Sequence, residues 1–250
     1  MNETLRLLRE RKSVRAYTDQ PIPEEEVNVI LNAAVQAPTA GNQQLYTILR
    51  ITDPERKRRL SESCDHQPFI AEAKLVLVFL ADCLKWYSAF EAAGCSPRRP
   101  GPGDLMLAVT DAVIAAQNAV VAASSLGIGS CYIGDIMENI EEQRKILGLP
   151  EWVFPAAMAV FGYPTEQQMK REKPVRSPLN LVVSENVYEK RDAAGLQEML
   201  EGKAGQIPYE QWIRAFCRRK YHSDFAREMS RSVGKALEAF RDWRDEDGRA

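Results

Sequence analysis

A short basic segment near the N-terminus has the residue types that bind a phosphate group. The segment reads Arg11-Lys12-Ser13-Val14-Arg15. In an extended chain alternate side chains point the same way, so Arg11, Ser13 and Arg15 would share one side. Two guanidinium groups and a hydroxyl can donate strong hydrogen bonds to phosphate oxygens. The motif by itself also fits a solvated basic turn after a helix, and taken alone it favours that simpler interpretation.

A second segment combines small residues with amides. It reads Ala37-Pro38-Thr39-Ala40-Gly41-Asn42-Gln43-Gln44 and lies between a predicted helix and a predicted strand. Small residues let a flat ring approach the backbone, and amides supply the donors and acceptors that the pyrimidine edge of a flavin needs. An ordinary turn is the alternative for this segment.

Other kinds of site have little support in the sequence. The only histidines, His66 and His222, belong to no metal-ligand spacing and to no pattern for a nucleophile. No G-x-G-x-x-G motif follows a predicted strand, which argues against a Rossmann dinucleotide site. We therefore predict neither a metal site nor a dedicated catalytic side chain.

Composition favours a cytoplasmic protein. The 250 residues carry a formal net charge of −2 and a sequence pI of about 5.9, so no overall field attracts nucleic acid or anionic lipid. Five cysteines without a C-x-x-C pair argue against a disulfide framework and fit a reducing compartment. The charged N-terminus lacks the apolar run of a secretory signal. We predict that neither nucleic acid nor a membrane is a partner.

The elements that would position these segments alternate between helices and strands. The run at residues 74–81 is apolar throughout, which predicts a sheet covered on both faces. A helix at residues 104–126 is apolar nearly all round, which predicts burial in the core or between subunits. Further strands are predicted at 44–51, 128–133 and 152–163, and further helices at 3–10, 24–37, 54–63, 140–147, 209–219 and 224–243.

Together the motifs resemble the nitroreductase family, which includes flavin reductases. The resemblance rests on the R-x-S-x-R start and the A-P-[ST]-x-x-N-x-Q segment, and it spans roughly residues 5–190. Further matching motifs are Gln67 before the predicted helix at 68–73, Asp111 with residues 115–118, the segment 126–134, and Arg176-Ser177-Pro178 leading to Tyr188.

This resemblance implies a fold and an assembly. The expected fold is α/β (α+β), nitroreductase-like and three-layered, with a central, mainly antiparallel sheet flanked by helices. The family forms homodimers with domain-swapped arms and FMN at the subunit interface. It implies an FMN-binding domain at residues 1–190 and a C-terminal helical extension at residues 191–250 that packs on the same domain.

The resemblance also assigns residues to the cofactor. Four residues of the basic segment and two later basic residues would hold the FMN phosphate and ribityl chain. Six other residues would contact the flavin ring. The phosphate and ribityl set is Arg11, Lys12, Ser13, Arg15, Lys173 and Arg176; the ring set is Thr39, Asn42, Gln67, Tyr132, Ile133 and Gly134. The chain departs from the family's K-x-R spacing, because Pro174 and Val175 separate Lys173 from Arg176.

The implied activity is a flavin-mediated hydride transfer. NADPH or NADH would reduce FMN at N5, and a nitroaromatic, a quinone or free flavin would then take the hydride in a ping-pong cycle. The alternatives are a non-catalytic flavin-binding redox sensor and a relative with another reductive activity, such as dehalogenation. A further hypothesis is that arginines of the C-terminal helices meet the 2′-phosphate of NADPH.

Overall fold

The chain forms two compact units in the computed structural model, which describes residues 1–243. The first unit contains Met1–Arg171 and the chain from Glu228 onward, and the second contains Glu172–Arg227. These units differ from the domains at 1–190 and 191–250, because the last long helix returns to the first unit. The domain boundary itself stays a prediction, and residues 244–250 of its second part lie outside the described residues.

A four-stranded antiparallel sheet forms the centre of the first unit, in the order β1-β2-β4-β3. The strands are β1 Tyr46–Arg50, β2 Leu75–Asp82, β3 Gly129–Ile133 and β4 Val153–Gly162. Each neighbouring pair is antiparallel. This architecture confirms the expected α+β fold with helices on both sides of the sheet.

Pro155 lies inside β4, where it cannot donate a ladder hydrogen bond. The register between β2 and β4 shifts at this place, since Phe79 pairs with Ala157 while Leu80 pairs with Pro155. The extra residue is a β-bulge, which lets a central strand contain a proline.

Twelve helices surround the sheet or form the second unit within residues 1–243. In the first unit they are α1 Glu3–Glu10, α2 Glu24–Val35, α3 Pro54–Ser63, α4 Pro68–Glu72, α5 Leu84–Ala92, α6 Pro102–Ser125, α7 Ile140–Leu147 and α8 Glu166–Lys170. The second unit contains α9 Leu179–Val182, α10 Ala193–Glu201 and α11 Tyr209–Tyr221, and α12 Asp224–Leu237 leads back to the first unit. Short 3-10 turns lie at Ala40–Asn42, Gly134–Met137 and Glu238–Phe240.

Five of these helices differ from the sequence-based expectation. Helices α5, α8, α9 and α10 were not predicted; α8 and α9 span only five and four residues, which is too short to show a helical period. Helix α12 ends at Leu237 and not near Trp243, since the chain tightens into a 3-10 turn there.

The sheet separates two apolar cores. Leu75, Leu77 and Phe79 of β2 face the core that α2 and α6 cover. Val76, Val78 and Leu80 face the opposite core, which includes Leu60 of α3 and Ile146 of α7. The uninterrupted apolar run of β2 therefore reflects burial on both faces, as predicted.

Helix α6 is long and apolar enough to cross a membrane by length and composition. Its nine buried residues include a row of alanines, and it contacts α2, β2 and β4. This buried row belongs to the core, which is one of the two environments predicted for the helix. Its outer side exposes Met106, Leu107 and Val113.

Candidate functional site

The basic segment lies extended beside strand β3. Ser13 forms a parallel bridge with Ser130, and the Val14 N–H donates to the Ser130 carbonyl at 2.9 Å. Val14 is buried, so its neighbours Ser13 and Arg15 face the other way. Gly129 makes this approach possible, because a Cβ there would lie 2.6 Å from Val14 Cγ2.

Arg11, Ser13 and Arg15 all lie near enough to the thiol of Cys131 to act on its pKa. Burial raises the pKa of this thiol, and Arg15, Ser13 and Arg11 each oppose the rise through charge or hydrogen bonding. Arg11 also lies near Tyr132, whose phenol pKa burial raises to about 12 against the charge of Arg11. The structure thus brings together three of the residues predicted to bind phosphate.

Arg11 has an unused hydrogen-bond donor in this cluster. Within residues 1–243, its Nη1 is one of three buried side-chain nitrogen or oxygen atoms without a hydrogen-bond partner. A buried donor without an acceptor costs free energy, and such groups in native proteins are rare. An anionic oxygen supplied by a ligand would satisfy this atom, so the residues present fit a phosphate-bearing cofactor.

Lys12 has a different set of contacts. Its Nζ donates to the Met169 carbonyl at 2.6 Å and to the Arg171 carbonyl, at the C-terminal end of α8. Positive charge is favourable at a helix C-terminus, so this contact anchors the basic segment. The assignment of Lys12 to the phosphate stays a prediction.

A buried carboxylate holds the loop from Thr39 to Gln44. Asp111 of α6 is 2% exposed and accepts hydrogen bonds from Thr39 Oγ1, from Ala40 N at 3.0 Å and from Leu45 N at 3.2 Å. The Thr39 hydroxyl in turn accepts from Gln44 N at 2.8 Å. Thr39 therefore shapes the loop through Asp111, which the sequence motif contained but did not identify as an anchor.

The same loop has an unusual backbone that two side chains of α5 support. Gly41, Asn42 and Gln44 have φ angles of 55°, 57° and 50°, in the left-handed region. Lys85 Nζ donates to the Gln44 carbonyl at 3.0 Å, and Trp86 Nε1 donates to the Gln43 carbonyl at 2.8 Å. These contacts could not be predicted from the sequence, because α5 itself was not predicted. Asn42 is exposed at the tip of the loop.

Gln67 begins helix α4 and is half-buried. Its Nε2 donates to the Cys64 carbonyl at 2.8 Å, and its backbone N–H donates to the Ser61 carbonyl at 3.0 Å. Both contacts fix the turn between α3 and α4. A role for the Gln67 side chain at the pyrimidine edge stays a prediction.

Tyr132, Ile133 and Gly134 lie where β3 ends. The Tyr132 hydroxyl donates to Gln117 Oε1 at 3.4 Å, which ties the strand to α6. Ile133 is buried, whereas a Cβ built on Gly134 would meet no atom within 4 Å. The backbone at Gly134 therefore borders open space, as a ring-contacting position requires.

The turn after Gly134 is fastened to helix α12. Ser232 is fully buried, and its hydroxyl donates to the Met137 carbonyl at 2.7 Å and accepts from Ile140 N at 2.9 Å. Arg231 forms an ion pair with Glu141 at 2.8 Å. Arg231 also pairs with Glu228 at 2.8 Å, so this arginine of the C-terminal helices is already held by two carboxylates.

Lys173 and Arg176 belong to the second unit, and their part in phosphate binding stays a prediction. Within that unit, helix α11 carries a row of aromatic rings. The Tyr209 and Trp212 centroids lie 6.3 Å apart, and those of Trp212 and Phe216 lie 5.0 Å apart. The Arg219 guanidinium extends this row, 5.3 Å from the Phe216 centroid.

Comparison with known proteins agrees with this geometry. The model of the nitroreductase family matches residues 8–163. The chain is 34% identical over 194 residues to an FMN reductase [NAD(P)H] of Bacillus subtilis, with 77% of each chain covered. It is 33% identical over 193 residues to an oxygen-insensitive NADPH nitroreductase of Salmonella typhimurium, again with 77% of each covered. The solved structure of NfrA2 from B. megaterium superimposes with a TM-score of 0.78 at 29% identity, covering 93% of this chain and 98% of that one.

Proposed function

Because the chain belongs to the nitroreductase family and is an NAD(P)H-dependent oxidoreductase, we propose that it binds FMN beside β3 and uses the bound FMN to reduce small oxidants. The observation that carries the proposal is the group of Arg11, Ser13 and Arg15 near the Cys131 thiol, in which Arg11 Nη1 is buried and has no hydrogen-bond partner. Two cations and a hydroxyl at one place suit a phosphate dianion.

When bound, FMN would take hydride from NADPH or NADH and pass it to a nitroaromatic, a quinone or free flavin. The protein then has to hold the cofactor and shape the space around it. The basic segment would fix the phosphate, and the loop from Thr39 to Gln44 would offer a rigid, small-residue surface to a flat ring. Asp111 keeps that loop in one conformation through three hydrogen bonds.

The nicotinamide donor would be selected by helix α11. Arg218 and Arg219 are exposed, and Arg219 continues the aromatic row of that helix. Guanidinium groups beside aromatic rings suit the 2′-phosphate and adenine of NADPH. We expect Arg218→Ala and Arg219→Ala to raise KM for NADPH and to leave KM for NADH unchanged. Equal effects on both donors would contradict this assignment.

A homodimer in the cytoplasm is the proposed assembly. Helix α6 exposes Met106 to 64% and Val113 to 41%, and α1, which contacts it, exposes Leu5 and Leu8. Exposed apolar residues on adjoining helices are typical of an interface. Size-exclusion chromatography with light scattering should give twice the mass of one chain, and Met106→Glu with Val113→Glu should shift the protein towards the monomer.

The first experiment is an anaerobic absorption spectrum of the purified protein. A yellow protein that bleaches with NADPH or NADH and recovers with a nitroaromatic would support the reductase. A yellow protein that neither donor reduces would favour the non-catalytic sensor. A protein that takes up no added FMN would refute the proposal.

Arg11→Ala tests the phosphate cluster directly. Loss of a charge-assisted hydrogen bond costs about 1.5–3 kcal/mol, so FMN should bind roughly 10- to 100-fold more weakly. Arg56→Ala, which removes an exposed arginine from α3, is the matched control and should leave FMN binding unchanged. Equal FMN affinity in the two variants would count against the assignment.

A further inference from the structure

A cavity of about 460 Å³ lies between α5, the loop that follows it and the start of α6. None of the residues predicted to bind FMN lines it. Its volume falls within the range of about 300–1,000 Å³ that is usual for small-molecule sites. The cavity lies wholly within the first unit, and Gln43 is the residue through which it borders the loop from Thr39 to Gln44.

Aromatic and aliphatic side chains form most of the cavity wall. Trp86, Tyr87 and Phe90 come from α5, and Leu107 comes from α6. The Trp86 and Phe90 rings lie 5.7 Å apart with an interplanar angle of 37°. Trp86 is fixed by its hydrogen bond to the Gln43 carbonyl, whereas the Phe90 ring remains 40% exposed. Such a wall offers ring faces for stacking and apolar contact.

The charged groups at the cavity neutralise each other. Arg98 binds Asp104 with both nitrogens of its fork, at 2.6 and 3.0 Å. Asp104 also accepts from Gly101 N at 2.7 Å and so fixes the first turn of α6. An anionic ligand would have to displace a carboxylate that holds this helix, and a cationic ligand would have to displace Arg98. The wall therefore suits an uncharged molecule.

The cavity contains no reactive thiolate among its buried groups. Cys83 forms part of the lining, and burial raises the pKa of its thiol to about 12. A thiol with so high a pKa is a poor nucleophile. The lining supports reversible binding by shape and stacking.

We propose that this cavity is a binding site for a flat, uncharged aromatic molecule, held between Phe90 of α5 and Leu107 of α6. The site goes beyond the proposed function, because none of its contacts depends on FMN. Through Trp86 and Gln43, an occupant would stiffen the loop from Thr39 to Gln44. The proposal would hold even if the protein reduced a substrate elsewhere.

The test uses 2-naphthol, a fluorescent probe that is uncharged at neutral pH, with the purified protein as isolated and without any nicotinamide. Fluorescence anisotropy should report one bound probe per chain, and the flavin absorption band should not change. Phe90→Arg and Leu107→Arg should each weaken binding more than tenfold. Ala89→Arg adds the same charge to an exposed neighbour on α5 outside the lining and should bind the probe as the unchanged protein does.

Each contrary outcome overturns the proposal. No binding up to the solubility of the probe would mean that the cavity is closed or filled by a partner copy in solution. Equal binding by both arginine variants, or a shift of the flavin band, would place the probe elsewhere. The flavin content of the same samples is read separately, so a protein without FMN would refute the proposed function while the probe titration still decides the cavity. Two variants on different helices keep the test valid if one of them does not fold.

Discussion

Glu138 should make the stability of the protein depend on pH near neutrality. It follows the turn at Gly134–Met137 and is 5% exposed. Burial raises the pKa of its carboxyl to about 7, and the charges of Asp135, Asp65 and Glu228 add to the rise. Glu228 is held in place by Arg231 and by the Asn139 N–H at 3.1 Å, so it stays close as a negative neighbour.

The sign follows from proton binding in the two states. Between pH 4.5 and about 7 the folded protein keeps a proton on Glu138 that the unfolded chain has lost, so the free energy of unfolding falls as pH rises through this window. At about 1.4 kcal/mol per pH unit the full effect is about 3 kcal/mol. Above pH 7 both states are ionised and the loss is complete.

Glu138→Gln tests this reasoning, because glutamine keeps the size of the side chain and cannot ionise. The free energy of unfolding, measured by urea titration from pH 4.5 to 8, should match the unchanged protein at the acid end. At pH 8 the variant should be more stable by up to about 3 kcal/mol. Glu151→Gln, at an exposed glutamate before β4, controls for the loss of one negative charge. The reasoning is refuted if Glu138→Gln and the unchanged protein lose stability in parallel over this range.

Three further outcomes are expected from the contacts described. Asp111→Ala should lower the free energy of unfolding by about 3 kcal/mol in urea titration, because three donors lose a buried acceptor. Gly129→Ala should cost about 1–3 kcal/mol and weaken FMN binding, since its Cβ would clash with the basic segment, whereas Gly103→Ala has open space and should be tolerated. Arg231→Ala should lower the free energy of unfolding only slightly, because both partners of its pair with Glu141 are about half exposed, and the effect should vanish in 1 M salt.

The sequence predicted the fold well where periodicity and burial coincide. The apolar run of β2 and the alanine-rich α6 indicated a covered sheet and a core helix, and both are present. Alternation in the basic segment predicted that Arg11, Ser13 and Arg15 share a side, and all three act on the pKa of the Cys131 thiol. These features depend on local spacing, which a single sequence contains.

Contacts between residues that are far apart in the chain could not be predicted from local sequence patterns. Lys12 binds carbonyls more than 150 positions away, and no local pattern distinguishes it from its arginine neighbours. The anchoring of the loop by Lys85 and Trp86 depends on α5, a helix that was not predicted from the sequence.

The bridge between Ser13 and Ser130 also bears on solubility. Strand β3 is an outer strand of the sheet, and an outer strand exposes backbone groups that can pair with another molecule. The basic segment occupies this edge at Ser130 and places charged side chains along it. A substitution that detaches the basic segment would therefore remove the residues that bind the phosphate. It would also expose the unpaired backbone groups of β3, which can pair with another molecule. We expect Gly129→Ala to aggregate more readily than variants that weaken the phosphate cluster and leave this bridge in place.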